Sequence, residues 1–218
     1  KKIKHINKLT YGFNKNNDIQ IKILSTTTRG YYIQVKYQNN MYLKVPYLGR
    51  HMIYNYVSSY MAAILLKKKP FLSEEGKLPK RRLSTCQFKN SVVIDDYAHH
   101  PTEIKSTLAA AKQKEHKRII AIFQPHTFSR TKELLNDFAT AFSDADIAII
   151  ADIYAAREKD DGTISSKDLV EKLVNNKVNA IYLPTFDEIR KYLKENMKPG
   201  DIILTIGAGN ITHLSDKL

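Results

Sequence analysis

The sequence predicts an α/β protein in two parts: a strand-rich segment closed by a helix, then a mostly parallel sheet with helices on both faces. Three observations predict it. Over residues 90–218, short apolar runs alternate with stretches of helical period, the pattern of βα units. Those runs are apolar nearly throughout, as strands buried on both faces must be. The charge also changes abruptly along the chain. Residues 1–89 carry 18 Lys+Arg against 3 Asp+Glu, a balance of +15, whereas residues 90–218 carry 17 against 19, a balance of −2. Segments this unlike read as two domains, 1–89 and 90–218.

The first segment reads as three strands and a helix. "IQIKILS" (19–25), "GYYIQVKYQ" (30–38) and "NMYLKVP" (40–46) are rich in β-branched and aromatic residues that nearly alternate with polar ones. "YQNNMY" predicts a hairpin turn in which Asn39 and Asn40 accept positive φ. In "GRHMIYNYVSSYMAAILLKKK" (49–69), Ile53, Val57, Tyr60, Met61, Ile64 and Leu65 recur at helical spacing, and three lysines suit the carboxyl end. Two prolines and a glycine make 70–80 a loop, and "RRLSTCQF" (81–88) is expected as a strand leading to a boundary near Lys89. In the second segment, strands are expected at 92–94, 119–123, 147–151, 180–183 and 202–206. Helices are expected near 101–115, 129–142, 166–175 and 186–196.

With 43% apolar residues in 218, the chain can bury a core, which excludes wholesale disorder. The one cysteine, Cys86, rules out an internal disulfide framework and fits a reducing, cytoplasmic compartment. No apolar run approaches the roughly 20 residues of a membrane span, and no signal-peptide pattern is present. The first residue is lysine rather than methionine, so the chain is expected to begin inside a longer protein. A net charge of +13 invites nucleic acid as partner. The strands of the basic segment show no RNA-binding motif, which argues against that partner.

In a parallel sheet, ligands bind beyond the carboxyl ends of the strands. The unusual residues fall there. Asp95, Asp96, Tyr97, His99 and His100 follow Ile94, and Gln124, His126, Ser129 and Arg130 follow Phe123. Asp152, Tyr154, Arg157 and Glu158 follow Ala151, and "GAGN" (207–210) follows Ile206. Four distant segments would deliver polar groups to one rim. Pro101 suits the first helical position, Glu103 the first turn, where it caps the helix, and residues 96–100 the connection between strand and helix. Arg130, early in the next helix, can hold a carboxylate or phosphate bidentately. The glycines of "GAGN" allow close approach of backbone to phosphate or to another segment, and a plain tight turn explains them equally. No G-x-x-x-x-G-K-[ST] occurs in the chain. Asp95, Asp96, His99, His100 and His126 are metal-ligand types, but their spacing lacks an H-x-x-x-H pair, and the metal reading is set aside. Cys86 falls in the strand expected over 81–88, where a cysteine is more often a small core residue than a nucleophile.

"DDYAHHPTEI", "FQPHTFSRT", "AREKDDG" and "GDIILTIGAGNI" occur in the order and spacing of the Mur ligases, and "TYGFNKNNDIQIKIL", "GRHMIYN" and "PKRRLS" resemble the end of that family's central ATPase domain. The chain resembles this family over nearly its whole length. Within it, the likeness is to members that attach L-alanine to UDP-N-acetylmuramate in peptidoglycan synthesis. The resemblance implies a Rossmann-like carboxyl-terminal domain and an ATP-dependent ligase using Mg²⁺. ATP phosphorylates the lactyl carboxylate, the amine of L-alanine attacks the acyl phosphate, and phosphate leaves. It implies that Asp96 holds the ATP ribose and that Tyr97 lies near the adenine or the amino acid. His99 is implied beside the reacting phosphoryl group or amine, and His126 and Arg130 at the amino acid. Asn55 is implied on the adenine side, Arg82 at the ATP phosphates, and Asp95 in a structural role.

Two positions depart from the family pattern. Met52 stands where asparagine is usual, and Thr127 where many relatives have a second arginine. The family's phosphate-binding loop, its Mg²⁺-binding glutamate and histidine, and its UDP-binding domain are expected upstream of Lys1. The fragment alone is therefore expected to be inactive, with the missing amino-terminal domains as its partners. The alternatives are a ligase that attaches preformed peptides to the same nucleotide sugar, a nucleotide-binding module without chemistry, and a nucleic-acid-binding protein.

Overall fold

In the computed structural model, which describes residues 8–70, 78–88 and 90–215, the chain forms two compact units that divide between residues 77 and 78. The first unit is a four-stranded sheet and a helix. Strands β1 (Tyr11–Gly12), β2 (Ile19–Thr27), β3 (Gly30–Tyr37) and β4 (Asn39–Val45) lie in that order, with β1 parallel to β2 and the others antiparallel. Alternation decides the faces. Ile33 and Val35 of β3 are fully buried beside Ile21 and Leu43, while Tyr32 and Lys36 point to solvent. Helix α1 (Arg50–Leu65) packs Ile53, Val57 and Met61, four residues apart, into the same core. Ile64 and Leu65, expected in the apolar stripe, are exposed. The β3–β4 hairpin also differs from expectation. Tyr37 pairs with Asn39 and Lys36 with Asn40, so both asparagines belong to the strand and Gln38, at φ 53°, makes the turn.

The division lies upstream of the boundary expected near residue 89. Strand β5 (Ser84–Phe88) pairs antiparallel with β6 (Ser91–Asp96), from Phe88↔Ser91 to Ser84↔Asp95, and so joins the second sheet. Lys80, Arg81 and Arg82 therefore belong to the second unit. That unit continues with α2 (Pro101–Ala111), β7 (Arg118–Phe123), α3 (Phe128–Glu133), α4 (Leu135–Phe138) and β8 (Ile147–Ile150). It ends with α5 (Ser166–Asn175), β9 (Ala180–Tyr182), α6 (Phe186–Asn196), β10 (Asp201–Ile206) and α7 (Thr212–Ser215). The stretch expected as one helix at 129–142 is two, because Leu134 leaves helical geometry at φ −103°.

The sheet order is β5-β6-β10-β7-β8-β9, and every pair except β5–β6 is parallel. Each central strand feeds two cores. Ile119, Ala121 and Phe123 face α2, α4 and α5, while Ile120 and Ile122 face α6 and the segment around Ile211 and Leu214. Phe123 meets Phe138 and Phe142 at ring separations of 5.4 Å each. Buried side chains of this size contribute roughly 1.5–3 kcal/mol apiece, which makes this double-sided core the main source of stability. The register then sets up the site. Asp96 pairs with Ile206, Ile206 with Phe123, and Phe123 with Ile150, so four carboxyl ends finish in one row. Among the described residues no helix is long and apolar enough to cross a membrane.

Candidate active site

Asp95 and Asp96 are the last two residues of β6, not part of the connection after it. Strand alternation sends their side chains to opposite faces. Asp95 accepts from Thr205 Oγ1 at 2.8 Å and Thr212 Oγ1 at 3.0 Å, and Arg81 Nε lies 3.4 Å away. Asp96 accepts from Ala98 N–H at 2.9 Å and Thr107 Oγ1 at 3.2 Å on Oδ1, and from Leu83 N–H at 2.8 Å on Oδ2. Burial pushes the Asp96 carboxyl above the ordinary aspartate range, against the pull of these hydrogen bonds. Both aspartates thus anchor the rim.

The connection from Tyr97 to His100 is fixed by a capping box. His100 caps α2, Pro101 occupies its first position, and Glu103 Oε2 accepts the N–H groups of His99 at 2.9 Å and His100 at 3.2 Å. Burial works to raise the Glu103 carboxyl, yet those bonds and the His99 ring hold it below its ordinary value. His99 Nδ1 lies 3.1 Å from the Tyr97 carbonyl oxygen, which can only accept. The neutral imidazole therefore carries its proton on Nδ1 and presents the lone pair of Nε2. Tyr97 packs edge-on to His99 at 5.5 Å, with the Arg81 and Arg82 guanidinium carbons 4.9 and 5.9 Å from its ring centre. Arg82 is exposed, and its charge opposes the rise of the Asp96 carboxyl and helps to lower that of Glu103.

The second cluster follows β7. The His126 ring lies 6.3 Å from that of His99 and stacks on Tyr154 at 5.5 Å and 18°. Arg130 Nη1 donates to the His126 carbonyl and to His126 Nδ1. Because arginine only donates, neutral His126 carries its proton on Nε2. Burial, then the Arg130 charge, lowers the His126 pKa and favours that neutral form. Glu158 Oε1 accepts from Thr127 Oγ1 and, at 2.5 Å, from Ser129 Oγ; its Oε2 accepts the Ser129 N–H at 2.9 Å. These bonds pull the Glu158 carboxyl down to about 2.

"GAGN" is filled by the protein itself. Arg81 donates to the carbonyls of Gly207 and Gly209, and Gln124 bridges Asn210 Oδ1 and the Ile211 N–H. A Cβ on Gly209 would lie 2.4 Å from Gln124 Oε1 and 2.8 Å from Tyr154 Cγ. The glycines therefore admit neighbouring segments rather than leaving a bare phosphate loop. Tyr97, His99, His126 and Arg130 gather at the strand ends as the sequence suggested, with Arg82 and Asp96 beside them. Asn55 belongs to the first unit, exposed on α1, with its Nδ2 3.9 Å from Met52 Sδ. Among the described residues no group of three or more His, Cys, Asp or Glu is placed to hold a metal ion.

Residues 81–209, more than half of the chain, match the family model described as Mur ligase, glutamate ligase domain. The chain belongs to the Mur ligase family. Among curated Mur ligases it is 46% identical to the UDP-N-acetylmuramate–L-alanine ligase of Caldanaerobacter subterraneus subsp. tengcongensis, over 97% of this chain and 48% of that protein. It is 43% identical to the enzyme of the same name from Acetivibrio thermocellus, over 97% of this chain and 47% of that protein. The crystal structure of the Thermotoga maritima UDP-N-acetylmuramate–alanine ligase superimposes with a TM-score of 0.78 at 25% identity, covering 96% of this chain and 46% of that one. A murein peptide ligase from Psychrobacter arcticus shares the fold, with a TM-score of 0.62 at 22% identity over 96% of this chain and 45% of that one. The chain spans about half the length of the curated relatives it matches.

Three residues of this Mur ligase rim were not singled out by sequence. Arg81 is a buttress whose hydrogen bonds go to the backbone carbonyls of Gly207 and Gly209, which carry no side-chain signal, while its Nε faces Asp95. Tyr154 and Glu158 stood among the polar residues after β8 with nothing to rank them. Tyr154 N–H donates to the Pro125 carbonyl at 2.8 Å, so a parallel bridge with His126 prolongs the β7–β8 pairing beyond the strands.

Proposed function

We propose that this chain is the carboxyl-terminal part of an ATP-dependent ligase that joins L-alanine to UDP-N-acetylmuramate through an acyl phosphate. The observation that carries the reading is the convergence of His99, His126 and Arg130, each fixed by a different bond, at the ends of β6 and β7. Arg130, held through Nη1, offers Nε and Nη2 to the alanine carboxylate. His126 offers its Nε2–H as a neutral donor beside it. His99 offers the Nε2 lone pair to the amine, which must lose a proton as it attacks the acyl carbon. Tyr97 and Arg82 supply an aromatic face and a cation suited to ATP; the family likeness assigns Asp96 to the ribose and Asn55 to the adenine side.

Mg²⁺ would supply charge neutralisation at the phosphates. The described residues do not form a ligand set for it, and the reading places its ligands, like the phosphate-binding loop, outside these residues. UDP-N-acetylmuramate, L-alanine and ATP are the substrates, and the cytoplasm is the compartment. The test is phosphate release by the full-length enzyme with UDP-N-acetylmuramate, ATP, Mg²⁺ and either L-alanine or a preformed peptide. Turnover with alanine is expected; turnover with the peptide alone overturns the alanine assignment. The 218 residues by themselves are expected to release no alanine-dependent phosphate.

A further inference from the structure

We propose that Glu158 is a positioning residue for the amino-acid site: by clasping Thr127 and Ser129 it holds the 126–130 segment so that Arg130 and His126 face the same carboxylate. This rests on the function proposed above and deepens it.

The clasp replaces something α3 lacks. Thr127 is the N-cap residue of α3, yet its side chain makes no capping bond to the helix. The first-turn N–H of Ser129 is satisfied instead by a carboxylate 29 residues away in sequence. Both oxygens of Glu158 are engaged by this one segment, through two hydroxyls and one N–H. The same connection after β8 touches the segment twice more, where Tyr154 N–H donates to Pro125 and the Tyr154 ring stacks on His126. Arg130 follows Ser129 directly, so the placement of Ser129 sets the placement of the guanidinium. Thr127 is here a hydroxyl that Glu158 grips.

The experiment compares Glu158→Gln, Thr127→Val and Thr127→Ser in the full-length enzyme. Glutamine keeps the shape but turns one acceptor into a donor, facing groups that themselves donate. Glu158→Gln is expected to raise the alanine KM about tenfold or more, with kcat and the ATP KM changed less than about threefold. Thr127→Val is expected to follow it in part, and Thr127→Ser to behave as wild type. An alanine KM within about twofold of wild type in both Glu158→Gln and Thr127→Val overturns the proposal. So does an equal rise in alanine and ATP KM in Thr127→Val, which marks a general structural defect.

A second readout uses this 218-residue chain and needs no turnover. In Glu158→Ala the Ser129 amide, whose N–H that carboxylate accepts, should exchange with solvent at least about tenfold faster by NMR. If the wild-type enzyme fails to use alanine, the function assignment falls, and an unchanged Ser129 exchange rate in Glu158→Ala separately refutes the clasp.

Discussion

The Arg130 guanidinium is gripped by its own neighbour four residues back: Nη1 lies 2.5 Å from the His126 carbonyl oxygen and 3.2 Å from His126 Nδ1. That leaves the Nε and Nη2 edge pre-oriented for a planar anion. In the full-length enzyme, Arg130→Ala is expected to raise the alanine KM on the order of 10- to 1,000-fold, the equivalent of about 1.5–4 kcal/mol. Arg130→Lys should recover little, because an ammonium cannot reproduce the fork. Steady-state kinetics with alanine varied checks this, and an unchanged KM removes Arg130 from the site.

His126 is expected to titrate below the ordinary histidine value of about 6.5, because burial and then the Arg130 charge disfavour its charged form. The sign follows from linkage. The unfolded chain takes up this proton at higher pH than the native one, so the native state loses stability as pH falls through the native pKa. Above the unfolded value the contribution is complete. Arg130→Ala should move the midpoint up, which NMR of the imidazole measures; a downward move contradicts the assigned contact.

Asp96 behaves in the opposite sense. Burial raises its pKa, so the native state keeps this proton to higher pH than the unfolded chain. Its contribution to stability is greatest below the ordinary aspartate value and declines as pH rises through the native pKa. Asp96→Asn replaces an acceptor by a donor among groups that donate. The expected loss is about 1–3 kcal/mol near neutral pH, and a larger deficit at acid pH. Urea unfolding of the chain at two pH values measures both, and a deficit that grows with pH reverses the sign assigned to burial.

Gly209→Ala should destabilise the second unit. The new Cβ meets Gln124 Oε1 at 2.4 Å, and that oxygen is already held by the Ile211 N–H at 3.1 Å. Moving Gln124 breaks this bond, and moving Tyr154 disturbs its stack on His126. Overpacking of this kind costs about 1–3 kcal/mol. A melting temperature equal to wild type would show that the turn yields freely.

The parallel sheet was legible because its strands are buried on both faces and so read as unbroken apolar runs. The rim was legible because chemistry-bearing residues follow those runs, and Pro101 and Glu103 mark the helix start that fixes His99. The unit boundary was not legible. Strand β5, "STCQF", is a polar edge strand, and nothing in its composition says which sheet it joins. The break at Leu134 leaves the apolar spacing of 129–142 intact, so periodicity passes over it. Arg81 acts on carbonyls 126 and 128 residues away, a relation that only the folded sheet creates. Gln38 makes a turn that Asn39 and Asn40 advertise more loudly, because the β3–β4 register claims both asparagines.

The place of β10 has a consequence for how the protein is made. It is the last strand of the second sheet to leave the ribosome, yet it lies between β6 and β7, which do not pair with each other. Until residues 201–206 emerge, those two strands have no common partner, and the row that aligns Asp96 with Phe123 does not exist. Assembly of the rim is therefore a late event in synthesis. Nascent chains stalled short of residue 201 should stay open to proteases that spare the finished domain.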